Sequence, residues 1–507
     1  MRRNVTAVVL CGLVGCALAG VLIAVGGPDE PQAAVVQVHR SSTASHVTSR
    51  RLDCTLRRRH FRTLPELRPT PFCVAVRRGA KVAGEDILVT PRPDPKRNPH
   101  EQFGLMLISS DGKLLWYQRR PYKVHDLKPV TYHGQPALAF FERDSAGGYY
   151  ELLDQQYRPL VRVRAGNDIP TDEHELQLTS DGMAYVGSDP VGSKNITDYV
   201  VREIDPATGR ARFEWKARGN IALADSFEAR PHNGAPWDYF HGNSIDPPTA
   251  TDPTMVVSAR NTSSVYGIDG RTGKTQWILG GKRDQFHLAR RPKWVFCTQH
   301  DVRRLPGNRL LMFDNGGTHI AATPRCPVHP ARVLLFKLDP ARHRVKLLRS
   351  ISSVGLAQSG GGILSGWVGS AVPQSGGDML VDWGSVPRVS SIGSDGREKL
   401  VLRLRYWSYR AAPVRWVGRP PGSPAMVAKR GKGHVTIWAS WNGATEIKRW
   451  QILAGKDPST LSPVGSAPFE DLETRIRVHT DQPYVTVRAL DANGSTLGTA
   501  RTAKVQR

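Results

Sequence analysis

The chain is short of acid, of cysteine and of long apolar runs, and each shortage excludes something. Against 70 Lys and Arg stand only 45 Asp and Glu, a net charge of +25 over 507 residues. Such an excess of base attracts anions: nucleic acid, acidic lipid, anionic glycan, or a small phosphate or sulfate ester. The basic residues are scattered along the whole chain rather than gathered in one block, which favours a general surface property over a nucleic-acid patch. Only one long apolar run exists, Val5–Val25, so a polytopic membrane protein is excluded. There are six cysteines, no CxxC pair, and no Cys/His spacing of the kind that holds zinc. HExxH, HxH and GxxxxGK are all missing, which argues against a zincin and against nucleotide use. What is present points to a packed fold. Hydrophobic residues make up 39% and include 12 Trp, too many for a disordered chain. Forty-eight Gly and 37 Pro break long helices everywhere and exclude a coiled coil.

Arg2 and Arg3 precede the apolar run, which is long enough to span a bilayer. With the arginines held in the cytoplasm, everything after Gly27 lies outside. Three forms are expected as alternatives: an uncleaved signal-anchor, a signal peptide cleaved at Ala17-Leu18-Ala19, or a lipoprotein cut before Cys16 in Leu13-Val14-Gly15-Cys16. All three export the rest of the chain, either anchored to the membrane by one N-terminal helix or secreted. Cys11 and Cys16 lie within the run. The remaining four cysteines suggest two disulfides, most simply Cys54–Cys73 and Cys297–Cys326. Residues 28–73 read as a polar, Arg-rich linker.

Beyond residue 80 helical periodicity is scarce. Short β-rich runs separated by Asp, Gly, Asn and Pro dominate, so the class is all-β. One pattern recurs: an apolar strand, a turn with Asp or Gly, and a second apolar strand often ending in Trp. Its turns fall at Asp111-Gly112, Asp154, Asp205, Asp269-Gly270, Asp339 and Asp395-Gly396. The intervals of 43, 51, 64, 70 and 56 residues each hold about four strands, the size of one propeller blade. The expected fold is a six-bladed β-propeller over 74–420. A small β-sandwich of immunoglobulin or fibronectin type follows over 421–507, after the linker RPPGSP.

A second repeat lies between the hairpins. His125-Asp126-Leu127, His174-Glu175-Leu176, His241-Gly242-Asn243 and His300-Asp301-Val302 each open a segment, 49, 67 and 59 residues apart. Equivalent positions in successive blades converge on the propeller axis, so several imidazoles are expected around one channel. Asn243 lies two residues after His241, hence on the same side of an extended strand. Arg260 closes the next strand, and its guanidinium forks onto tetrahedral oxyanions. Asp314-Asn315-Gly316 reads as a turn. Neutral imidazole is a nucleophile at neutral pH. Several His with an Asn and an Arg, and no paired carboxylates or Ser-His-Asp order, suit transfer of a sulfonyl or phosphoryl group. Metal binding by the histidines is the rival, weakened because no acidic residue recurs at every His.

These residues resemble a known family. Trp237-Asp238-Tyr239-Phe240-His241-Gly242-Asn243-Ser244-Ile245, Ser258-Ala259-Arg260, Gln276-Trp277-Ile278-Leu279-Gly280-Gly281, Thr298-Gln299-His300 and Phe313-Asp314-Asn315-Gly316 look, in this order, like the bacterial aryl sulfotransferases that do not use PAPS. Ser408-Tyr409-Arg410-Ala411 resembles the family's closing segment. The resemblance covers about 74–420. It implies a six-bladed propeller, an exported location, no cofactor, and a small phenolic sulfate donor with a phenolic acceptor. It makes His300 the nucleophile that carries the sulfonyl group as a sulfohistidine. It gives His241, Asn243 and Arg260 the sulfonyl oxygens, and His174 a place in the same pocket, where it could exchange the phenolic proton. His125 receives no role from the resemblance and is expected to be structural. Trp237, Tyr239, Phe240 and Trp294 are candidates for aromatic walls that exclude water. Gly366-Trp367-Val368-Gly369-Ser370 departs from the family pattern, where a Thr is expected near the pocket. Two other functions compete: a non-catalytic cell-surface propeller that binds an anionic glycan or protein, and a sulfatase or phosphatase using similar histidine chemistry.

Overall fold

The structure is a computed structural model and describes residues 35–36, 52–94, 97–166, 168–288, 296–318, 323, 326–357 and 360–506. The apolar run Val5–Val25 lies outside these residues. Among those described, no helix is long and apolar enough to cross a membrane.

Alternating and fully apolar runs form strands throughout, and the only helices among the described residues are four short 3-10 turns. Six sheets of four or five strands follow one another along the chain, antiparallel except where His287–Leu288 pairs parallel with Arg344–Ser352 in the fifth. From the inner strand outward, the second sheet runs Val124–Tyr132, Gln135–Glu142, Tyr149–Leu153, Pro159–Val163. The third begins at Leu176–Leu178, the fourth at Gly242–Asp246, the fifth at His300–Leu305 and the sixth at Ser370–Pro373. The first sheet is assembled from both ends of this region. Its inner strand Ser408–Val414 pairs with Asp86–Pro91, which leads to Gly104–Ile108 and Leu114–Arg119. The six inner strands touch one another in cyclic order, the last touching the first. This is the layout of a β-propeller. Each Asp-bearing turn singled out in the sequence joins the third and fourth strands of its sheet, from Asp111 in the first to Asp395 in the sixth.

Large side chains fill the space between sheets. Tyr185, Val201 and Trp215 of the third pack with Ile245, Val257 and Tyr266 of the fourth. Each such side chain contributes roughly 1.5–3 kcal/mol by leaving water. Tyr239 and Phe240 are fully buried in this cluster and Trp237 packs on it. They are therefore core residues and do not wall a site.

The end of the expected linker is packed. Phe61 and Phe72 join the core between the sixth and first sheets. Phe72–Val76 adds a fifth strand to the sixth sheet, and Cys54–Cys73 ties the segment down. The second disulfide is Cys297–Cys326.

After Val414 the chain builds two further sheets around Val435, Ile437, Trp450, Ile452, Val485 and Val487. They dock on the outer edge of the first sheet. The Asn442 amide donates to Tyr117 O (2.8 Å) and accepts from Tyr117 N (2.9 Å), and Asp471 accepts from Leu114 N (2.7 Å). Side chains thus satisfy an edge strand that would otherwise expose its backbone.

Candidate active site

Each inner strand brings its first residues to one end of the ring. His125, His174, His241 and His300 come from the second to fifth sheets, Trp367 and Val368 from the sixth, and Trp407 and Tyr409 from the first. With Arg92, Glu173 and Arg260 they line a cavity of about 160 Å³. Register shifts occur where three of the strands begin, at His125/Lys128, Gly242/Ser244 and His300/Arg303. Such bulges bend a strand and re-aim its side chains. Asp126 and Asp301, each the residue after a cavity His, have φ 51°, and His241 has φ 53°. Left-handed backbone at non-glycine residues costs of order 1–3 kcal/mol and gathers at functional sites.

Alternation along a strand decides what lies beneath the histidines. The neighbours Asp126, Glu175 and Asp301 point away from the cavity and meet on one guanidinium. Arg410 reaches Asp126 at 2.7 Å, Glu175 at 3.0 Å and Asp301 at 3.3 Å, and donates to Asn243 O at 3.0 Å. Arg410 therefore ties together the strands of all four histidines. Lys128 and Arg303 complete the buried set, each bonding to Glu175 and to one of the two Asp. Three cations thus face three carboxylates, which is the condition for charge to stay buried.

His300 is 1% exposed. Its Nδ1 lies 2.7 Å from Asn315 Oδ1 and 3.1 Å from Thr298 O, while Nε2 is buried with no hydrogen-bond partner among the described residues. The Asn315 amide is oriented by donating to Val368 O (2.9 Å) and Ser365 Oγ (3.2 Å), so its oxygen must face the imidazole. Nδ1 then carries the proton and Nε2 the lone pair. Burial, then the charge of Arg260, hold the His300 pKa well below 6.5. The ring is neutral at pH 7.

His241 Nδ1 bonds to Asp238 Oδ2, and its buried Nε2 also has no partner among the described residues. Burial and Arg260 lower its pKa, against the pull of Asp238. Arg260 is fixed by its N–H to His241 O (2.9 Å) and by Nε to Asn261 Oδ1 (3.0 Å). His174 differs. Burial opposes its charge, but Asp172, 2.7 Å from Nδ1, outweighs burial with help from Glu173 and raises the pKa above 6.5. The His174 and His241 rings meet edge to face at 4.8 Å.

The structure thus brings His174, His241, Arg260 and His300 together. Asn243 stands behind them. It is absent from the cavity lining, and its amide donates to Gln299 O at 2.8 Å, steadying the backbone just before His300. His125, expected to be structural, lines the cavity. The aromatic walls are Trp367, Trp407 and Tyr409; Trp294 lies outside the described residues. Sequence reasoning missed Asn315 as the partner of His300, and Arg410 as the support of the ring. The only signals were a turn motif and an Arg in the closing segment.

Residues 128–406, more than half of the chain, match the arylsulfotransferase (ASST) family. The chain belongs to this family. The match contains His174, His241, Arg260, His300 and Asn315, and stops short of His125, Tyr409 and Arg410. No curated protein matches the chain. Solved structures similar to it include a Bacteroides caccae protein of unknown function, with 12% identity over 66% of this chain and 99% of that one, at a TM-score of 0.41. The periplasmic gluconolactonase of Pseudomonas aeruginosa has 11% identity over 83% and 96%, at 0.34. The Cps50 (Swd1) β-propeller domain of Myceliophteria thermophila has 12% identity over 74% and 98%, at 0.32. Among the described residues, no group of three or more His, Cys, Asp or Glu is placed to hold a metal ion.

Proposed function

We propose that the protein is an aryl sulfotransferase that moves a sulfonyl group from a phenolic sulfate ester to a phenol through a sulfohistidine at His300. The observation that carries this reading is the free, buried Nε2 of a neutral His300, facing a cavity that it shares with Arg260. A sulfate ester placed there presents its oxygens to the Arg260 guanidinium and to His241 Nε2, which donates when His241 carries its second proton. The His300 Nε2 lone pair attacks sulfur, an N–S bond forms and the S–O(aryl) bond breaks. Charge builds on the leaving oxygen, and His174, whose charged form Asp172 favours, gives it a proton. His300 keeps its Nδ1 proton on Asn315 throughout. In the second half a phenol returns its proton to His174, its oxygen attacks sulfur, and the N–S bond breaks. Donor and acceptor exchange in turn, so the kinetics are ping-pong. Trp367, Trp407 and Tyr409 line the cavity with apolar surface, which suits an aryl ring and disfavours water as acceptor.

The ring of six sheets supports reading 74–420 as a six-bladed propeller, with 421–507 as an accessory sandwich. Two disulfides suit an oxidising, extracytoplasmic compartment, reached through the N-terminal apolar run.

The test is intact and peptide mass spectrometry after 4-nitrophenyl sulfate is added, with and without phenol. A sulfonyl adduct on His300 that phenol discharges as phenyl sulfate is expected, with none in His300→Ala. Nitrophenol release at equal rate with and without phenol, and inorganic sulfate as the product, would make the protein a sulfatase. No release and no adduct from folded protein, over several aryl donors, would favour a binding propeller.

A further inference from the structure

The cavity has two poles. The charged and titratable groups acting most strongly on His300 are Arg260, His241 and His174. Those acting most strongly on His125 are Glu173, Arg92, His174 and Arg143. His174 is common to both; its ring meets His241 at 4.8 Å and Tyr409 at 5.5 Å, and Tyr409 in turn stacks on His125, so the rings run in a chain with His125 at the end away from His241. The His125 side chain is 3% exposed, and neither ring nitrogen has a hydrogen-bond partner among the described residues. Glu173 Oε1, 3.9 Å from Nδ1, is too far for one. The ring is packed against two aromatic neighbours. It stacks on Tyr409 (5.7 Å, 27°) and meets Trp407 edge-on (6.1 Å, 87°). Burial also lowers its pKa to about 4, so the ring is neutral at pH 7, with one N–H and one lone pair. A buried donor and acceptor left unmade is costly, and a ligand that supplies both removes that cost.

Resting on the sulfotransferase reading, we propose that His125 is a specificity-determining residue that hydrogen-bonds a second hydroxyl on the aromatic ring of the substrate, distal to the oxygen that exchanges the sulfonyl group. A hydroxyl both donates and accepts, and so can meet either ring nitrogen. The Trp407 and Tyr409 rings that hold His125 also line the cavity, so the same aromatic surface fixes the imidazole and faces the substrate ring.

The experiment pairs acceptors that differ only in that hydroxyl: hydroquinone against 4-methylphenol, and resorcinol against 3-methylphenol, with phenyl sulfate as donor. For wild type, kcat/KM should favour the dihydroxy member of at least one pair by roughly 10- to 100-fold. In His125→Phe, which keeps a ring against Tyr409, the ratio should fall to within about two-fold of one. In His125→Gln, whose amide donates and accepts, it should be intermediate. A wild-type ratio near one in both pairs, or a ratio unchanged in His125→Phe, overturns the proposal. Ligand-observed NMR of the four acceptors reads the same preference without turnover. If binding discriminates and His125→Phe abolishes that discrimination while no sulfonyl group is ever transferred, the subsite stands and the transferase reading falls. Circular dichroism and the melting temperature of each variant confirm that it is folded.

Discussion

Replacing Asn315 separates a held nucleophile from a merely buried histidine. Asn315→Leu removes the 2.7 Å acceptor of the His300 Nδ1 proton and the two donors that reach Val368 O and Ser365 Oγ. An orphaned buried polar group costs about 1–3 kcal/mol. Thr298 O, at 3.1 Å from Nδ1, remains as a second acceptor and takes back part of the loss. The barrier to sulfonyl uptake should therefore rise by about 1–2 kcal/mol, a fall of roughly 5- to 30-fold in rate. Asn315→Asp acts in another direction. A carboxylate against the ring favours imidazolium and raises the His300 pKa from its value well below 6.5. Wild-type uptake should show no fall near pH 6.5 from protonation of His300, because burial already holds its pKa well below that. The Asp variant should gain an acidic limb, its rate falling as pH drops through the raised pKa. The assay is single-turnover release of nitrophenol from saturating 4-nitrophenyl sulfate, measured by stopped flow. A folded Asn315→Leu protein within two-fold of wild type, or an Asp variant with no new limb, would refute the reasoning.

Four further outcomes are expected. His174→Gln should slow transfer from phenyl sulfate by roughly 10²- to 10⁴-fold, yet far less from 4-nitrophenyl sulfate, whose leaving group needs no proton; equal losses would remove the acid role. Arg410→Met should lower stability by about 3–5 kcal/mol in urea titrations, because Asp126, Glu175 and Asp301 are left with only Lys128 and Arg303; a loss below 1 kcal/mol would show that the hub is dispensable. Replacing Cys297 and Cys326 together by Ala should cost about 3–4 kcal/mol, from a link across 29 residues, read from urea midpoints and slopes. His125 titrates near 6.5 when unfolded and at about 4 when folded, so its contribution is complete above pH 6.5 and is lost as pH falls to 4. That loss is ~3 kcal/mol, and His125→Phe should flatten the pH dependence of stability over this window.

Strand alternation and turn chemistry are local, and they were legible. The Asp turns at 111, 154, 205, 269, 339 and 395 marked the outer hairpin of every sheet, because an Asp side chain caps its own turn wherever the chain goes next. The His-headed segments marked the inner strands of the second to fifth sheets. The roles within that ring were less legible. Asn243 reads in sequence as a neighbour of His241 on the same side of a strand. The register shift between Gly242 and Ser244 turns it instead toward Gln299. Tyr239 and Phe240 read as walls because they precede His241, but the left-handed His241 backbone separates their direction from its own, and they enter the core between the third and fourth sheets.

The sequence by itself determined the all-β class, the outer hairpins, the pairing of the four cysteines in the described residues, and the identity of His300, His241, His174 and Arg260 as a set. Only the tertiary structure decided what each of them meets. Arg410 lies 109 or more residues from the acids it joins. It reaches them because Ser408–Val414 returns to close the ring against Asp86–Pro91. Trp367, Trp407, Tyr409 and His125 become one cavity wall through the same closure. A strand pattern specifies which face is buried, but the partner across a closed ring is set by long-range packing, on which local pattern carries no information.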